Sequence, residues 1–138
     1  MLTADINYVA VLVAALASMA LGALWYSPLL FGKRWMELMK IDFADMKEMK
    51  KKANKMYAIN FVATLVMAYV LAHFVDYTQA GTFLEGLEAG FWIWLGFIAT
   101  VMLGSVLWEN KPLELYFLNI SYQLLNVLIM AVIVAVWV

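Results

Sequence analysis

The residues of this chain that can do chemistry are amides, hydroxyls and one carboxylate set within long apolar runs. Asn119, Tyr122, Gln123 and Asn126 stand at i, i+3, i+4 and i+7, which on a helix aligns all four along one stripe. Asn60 and Thr64 repeat the spacing upstream, Thr100 and Ser105 add hydroxyls, and Glu109 adds the carboxylate. Polar groups in apolar surroundings are costly and turn toward a protein interior. Two uses fit such a set. The amides can hydrogen-bond across helices and fix packing, at about 0.6 kcal/mol each, or they can line a small cavity for an ion, a proton or a polar solute.

Other chemistries are poorly supplied. The chain has no cysteine and one histidine, so thiolate metal sites and cysteine nucleophiles are excluded. A Ser-His dyad or a nitrogen-ligand centre has little to draw on. No nucleophile–base pair stands out, so neither an enzyme nor a cofactor is expected. Ten methionines, with the pairs Met36/Met39 and Met46/Met49, raise Cu(I), for which thioether sulfur is a suitable soft ligand. These pairs have no Cys or His nearby and sit at helical spacing on apolar faces. They read as flexible packing, and no metal site is expected. His73, alone near one end of its apolar run, reads as interfacial.

The elements that position these residues are membrane helices. Hydrophobic residues make up 67% of the 138, mean hydropathy is +0.86 and charged residues are 14%, against about 25% in a soluble domain. Runs at about 8–30, 56–75, 87–108 and 113–137 each reach the roughly 20 residues that cross a bilayer core. The expected fold is an all-α integral membrane protein, one domain over 1–138 built as a four-helix up-down bundle. A basic cytoplasmic loop at 31–55 carries a surface helix. No Lys or Arg precedes the first run, unlike a secretory signal, so that run is expected to stay as a membrane helix.

Orientation follows from the basic residues, which remain cytoplasmic. Lys33, Arg34, Lys40, Lys47, Lys50, Lys51, Lys52 and Lys55 lie in the first loop and Lys111 in the third; the N-terminus, second loop and C-terminus have none. Both termini are therefore expected outside the cytoplasmic membrane. Trp25, Tyr26, Trp35, Tyr57 and Trp108 near the inner interface, and Tyr8, Tyr77 and Trp137 near the outer one, form an aromatic belt. In the first loop Phe31, Trp35, Leu38 and Met39 recur at helical spacing, as in an interfacial helix lying in the headgroups. Asp42 can cap a further helix leading into the second span. Lys33, Arg34 and the Lys50-Lys51-Lys52 cluster face anionic lipid headgroups, at roughly 1 kcal/mol per basic residue. This loop is a topogenic signal or, beyond that, a partner surface.

Depth divides the polar set. Ser27, Asn60, Ser105, Glu109 and Asn119 lie toward the cytoplasmic side and Thr100, Gln123 and Asn126 near the middle, whereas only Ser18, Tyr69 and His73 interrupt the outer half of the first two spans. The expected interior is polar toward the cytoplasm and sealed by apolar residues outside. Small residues step by four at Ala10, Ala14, Ser18 and Gly22, and at Gly96, Thr100 and Gly104. Such ridges let helix backbones approach, within the chain or between copies. The segment Trp25-Tyr26-Ser27-Pro28 ends the first span, because proline disfavours helix at the residue before it and frees a carbonyl. It is either a structural helix stop or the mouth of the cavity. Leu-Gly, Trp and Pro followed by Tyr-x-x-Asn occur both at Leu21 to Asn60 and at Leu103 to Asn119, consistent with duplication of a helical hairpin.

The string Leu21-Gly22-x-x-Trp25-Tyr26-Ser27-Pro28-x-x-Phe31-Gly32-x-x-Trp35 closely resembles the signature of the DUF1761 membrane proteins. The likeness continues through Tyr57-Ala58-Ile59-x-Phe61-Val62 and through Glu109-x-Lys111-Pro112 followed by Asn119, where Lys111 replaces the family's usual Arg. The resemblance spans nearly the whole chain and implies a small four-span protein of a prokaryotic cytoplasmic membrane. It brings no activity, cofactor or catalytic residue. Two functions are expected from the sequence: permeation of a small ion or polar solute through an oligomeric helical bundle, or a non-catalytic accessory or assembly role in a larger membrane complex. The bilayer is the expected partner, with a homo-oligomer or a membrane complex and no nucleic acid.

Overall fold

A computed structural model describes residues 3–137; residues 1, 2 and 138, which the expected domain includes, lie outside the described residues. The described chain is helical and contains no strand. Its elements are α1 (Tyr8–Trp25), α2 (Gly32–Met39), α3 (Phe43–Lys51), α4 (Ala53–Tyr77), α5 (Phe83–Leu107) and α6 (Leu113–Val136). Among the described residues, α1, α4, α5 and α6 are the four helices long and apolar enough to cross a membrane.

Local signals set the helix ends. Asn7 caps α1, its side-chain oxygen accepting from the amides of Val9 and Ala10 at 3.0 and 3.2 Å. Thr82 and Glu85 form a reciprocal capping box at the start of α5, as Asp42 and Asp45 do for α3; each satisfies amides that the first helical turn leaves free. The chain leaves α1 at Trp25, five residues before the apolar run itself ends. Pro28 forbids a longer helix, and a tight turn follows. Ser27 Oγ donates to the Leu24 carbonyl at 2.6 Å, and the Trp25 and Ser27 carbonyls accept from the amides of Phe31 and Gly32. Gly32 is dictated by space, since an added Cβ would overlap the Tyr26 carbonyl oxygen and lie 2.8 Å from the Ser27 carbonyl.

The spans do not pack as four equal neighbours. Helix α6 touches all three others, and α1 packs on both α4 and α6. Helix α5 leans almost entirely on α6 and barely meets α4. Glycine explains the closeness of α5 to α6. A Cβ at Gly86 would stand 3.0 Å from the Ala135 Cβ, and one at Gly90 would stand 3.1 Å from the Ala131 Cβ. The stripe expected to pack, Gly96-Thr100-Gly104, points elsewhere: nothing lies within 4 Å of a Cβ at Gly96, and Thr100 is exposed.

A wide π turn at Leu95–Ala99 separates these two registers. One extra residue in a turn rotates the following helix by about 100°. The Ala99 carbonyl accepts from Tyr116 Oη at 2.6 Å, and Trp94 Nε1 donates back to the Ile120 carbonyl at 2.8 Å. These two bonds fasten the irregular segment to α6.

The core occupies one half of the molecule. Val11, Ala14 and Ala15 of α1 meet Ala68, Leu71 and Val75 of α4 and Val127, Met130 and Ala131 of α6. Apolar burial offers helices little driving force in lipid, so the close approach of alanine-rich faces and their van der Waals contact hold this half together. Asp5, Asn7, Trp137 and the end of α4 share the same end, where Asn7 Nδ2 donates to the Trp137 carbonyl at 3.3 Å and the Asp5 amide to Asp76 at 3.4 Å. The basic loop lies at the other end.

Candidate functional site

Helix α4 stays against α1 and α6 only along its second half. From Asn54 through Asn60 every residue is exposed, and Thr64 is the first to be buried. The three helices thus meet at the apolar core and part toward the basic loop. A cleft of about 510 Å³ opens between them, within the roughly 300–1,000 Å³ range of small-molecule sites.

Its wall gathers most of the polar residues singled out in the sequence. Asn60 and Thr64 face it from α4; Tyr122, Gln123 and Asn126 face it from α6. Helix α1 supplies Ser18, Met19 and Gly22, and Tyr26 closes the wall just beyond the helix end. The i, i+3, i+4, i+7 stripe of α6 therefore runs down one side of the cleft. Its first member, Asn119, is half-buried beside it and accepts a 2.7 Å hydrogen bond from Tyr26 Oη. Gly22 makes room for the Tyr122 phenol, whose oxygen would lie 3.0 Å from an added Cβ.

The floor is formed by Ser18, Thr64 and Asn126, all nearly buried. Thr64 Oγ1 donates to the Asn60 carbonyl at 2.7 Å, the usual resting bond of a helical threonine. Asn60 Nδ2 reaches Met19 Sδ at 3.4 Å. Asn126 is 3% exposed, and its Nδ2 donates to Gln123 Oε1 at 3.3 Å. Its Oδ1 has no partner among the described residues. A buried amide oxygen without a donor costs free energy, and this one belongs to a side chain of the cleft lining. Trp25 Nε1 is also without a partner, but Trp25 is not part of the lining.

The third span contributes nothing to this wall. Thr100 Oγ1 donates to the Gly96 carbonyl at 2.7 Å on an exposed face. Ser105 is half-buried, its carbonyl accepting from the Lys111 amide at 3.0 Å, and Glu109 is exposed in the following loop. Of the helix-stop residues, Tyr26 lines the cleft, Trp25 packs on Phe31 with ring centroids 4.5 Å apart, and Ser27 and Pro28 stay in the turn. Of the two Tyr-x-x-Asn segments, Tyr57 and Asn60 line the cleft, whereas Tyr116 is buried against α5 and Asn119 is bonded to Tyr26.

Helix α2 packs against Tyr26, and none of its residues lines the cleft. Trp35 of α2 meets Tyr26 edge-on at 5.8 Å, and Tyr26 meets Tyr122 edge-on at 5.2 Å. Arg34 grips Glu114 of α6 with two parallel hydrogen bonds, one of 2.7 Å from Nε, and a third bond of 2.8 Å ties it to Glu37. The guanidinium is pushed above its ordinary value, first by the Glu114 hydrogen bonds and then by Glu37. Trp35 thus turns toward the protein. Lys33, Lys50, Lys51 and Lys52 are exposed, and Lys51 pairs with Glu48 at 3.2 Å. Among the described residues no group of His, Cys, Asp or Glu is arranged to hold a metal ion.

The sequence did not single out Ser18, Met19, Gly22, Ala23, Tyr57, Ala63 and Met67 as cleft residues. Ser18 was assigned to the apolar outer half, and Gly22 to close packing. Their common signal is position on α1 and α4 opposite the α6 stripe, which becomes visible only once the neighbours of α6 are known.

Fold and site together define a helical protein with four membrane-length helices and a polar cleft at one end of its bundle. Residues 9–135 match the family described as a protein of unknown function, DUF1761, and the chain belongs to that family. Comparison with curated proteins and with solved structures gives no match.

Proposed function

We propose that the protein binds a small solute in the cleft between α1, α4 and α6 and passes it across the cytoplasmic membrane. On this reading the basic loop and the mouth of the cleft face the cytoplasm, and the chain termini face outward. The observation that carries it is the cleft itself, whose wall between three membrane-length helices includes Asn60, Thr64, Gln123 and Asn126. Asn126 lies thirteen residues past Leu113, roughly 20 Å along the helix, so the floor reaches the middle of a bilayer core of about 30 Å. Beyond it the alanine-rich core acts as the outer seal, and transport requires that seal to loosen, or a path shared between copies in an oligomer.

The test is flux into proteoliposomes, with urea and glycerol as uncharged solutes and potassium as an ion. The expected result is uptake of at least one of them above protein-free vesicles, falling several-fold in Asn126→Leu and Asn60→Leu. Uptake equal to protein-free vesicles for all three contradicts the proposal.

A second reading is an accessory or assembly subunit. It is supported by α5, which leans almost entirely on α6 and leaves Gly96, Phe97, Thr100 and Val101 exposed along one face. Native mass spectrometry after gentle extraction tests it: a stoichiometric foreign subunit supports this role, and a lone homo-oligomer directs attention back to flux.

A further inference from the structure

We infer that the cleft selects uncharged, hydrogen-bonding solutes with an apolar side and rejects ions of either sign. This rests on the reading of the cleft as a solute site, and narrows it to a class of ligand.

The wall carries two kinds of surface. Amides and hydroxyls come from Asn60, Thr64, Gln123 and Asn126, while Tyr26, Tyr57, Tyr122, Met19 and Met67 offer faces of ring or thioether. Among the described residues that line it, none is acidic, basic or a histidine. The amide and hydroxyl oxygens of the wall call for a ligand N–H or O–H. A donor on a neutral molecule meets that demand at little desolvation cost. An ion gives up a hydration shell that neutral dipoles only partly replace, and an opposite charge is the usual compensation. The tyrosine faces attract a cation, yet without a carboxylate they return only part of that loss. For an anion the wall offers amide and hydroxyl donors but no guanidinium or ammonium. A solute with both hydrogen-bonding edges and an apolar face, such as a small amide or a substituted alcohol, matches the wall on both counts.

The chain has no cysteine, so one introduced thiol reports alone. Ala63 lines the cleft and Lys51 is exposed on α3. Ala63→Cys and the reference Lys51→Cys are each reconstituted and treated with three methanethiosulfonates of similar length: hydroxyethyl, trimethylammonium-ethyl and sulfonatoethyl. Rates at position 63 are divided by those at position 51, which removes each reagent's own reactivity. Met67→Cys, on the same wall one turn deeper, repeats the measurement with an independent substitution. The inference expects the neutral reagent to be favoured over both charged ones by on the order of tenfold or more. An equal normalised rate for either charged reagent overturns the selectivity and leaves the cleft as an accessible site. Inertness of positions 63 and 67 to all three, with position 51 reactive, overturns the accessible cleft itself and with it the solute reading.

Discussion

At the scale of single residues, the same amide can serve packing in one place and line a cleft about two turns away. Asn119 and Asn126 lie on one stripe of α6, yet Asn119 takes its bond from Tyr26 whereas Asn126 leaves a buried oxygen without a donor. Tyr26 holds a corner of this region, donating to Asn119 and touching both Tyr122 and Trp35 with its ring. Tyr26→Phe keeps the ring and loses the donor, so chemical denaturation in detergent should register a loss of about 0.5–1.5 kcal/mol. Gly32 makes a sharper case. Because a Cβ there would overlap backbone, Gly32→Ala should cost more than about 2 kcal/mol, read as a lowered melting temperature or lost yield in membranes. Spacing alone revealed the α6 stripe, because period and polarity are local properties. It gave no way to separate the bonded amide oxygen from the one without a donor, since their partners are 93 residues away or absent.

At the scale of elements, hydropathy pointed to the four long helices, and local chemistry pointed to a few of the helix ends. Asp42 was legible as a cap, and Pro28 as a stop, because each acts on its own neighbours. The third span was harder. Its small residues at 96, 100 and 104 step by four as a packing ridge should, but the buried positions run 86, 90 and then 99. The π turn at Leu95–Ala99 breaks the register, and no sequence pattern announced it. Gly86 and Gly90 meet α6 directly, whereas Gly96 faces open space. Gly90→Leu should therefore destabilise the fold by about 1–3 kcal/mol through overpacking, while Gly96→Leu should leave the melting temperature of the detergent-solubilised protein near that of the parent. Equal effects would mean that α5 is turned differently. Should Gly96→Leu instead disperse an oligomer without lowering stability, the exposed face of α5 would be assigned to contacts between copies.

At the scale of the whole molecule, the division into a polar half and an apolar half is the account's central feature. Composition and the placement of Lys and Arg suggested it, and the three-helix arrangement of α1, α4 and α6 gives it a shape. The four spans do not form a ring of equal neighbours, so the cleft belongs to three helices and α5 braces the outside of α6. The sequence could place polar residues by depth, but the choice of which helices meet depends on alanine and glycine faces that many pairings satisfy equally. The central claim is that water and solute reach the cleft from the loop side and stop at the alanine core. Asn60 and Ala68 lie two turns apart on α4, one at the open end and the other 0% exposed in the core. The most direct measurement labels Asn60→Cys and Ala68→Cys with a membrane-impermeant thiol reagent, in inside-out and right-side-out vesicles. Asn60→Cys should react from the cytoplasmic face only, and Ala68→Cys from neither. Reaction of Asn60→Cys from the outer face alone, its inertness from both, or equal labelling of the two positions would contradict the central claim.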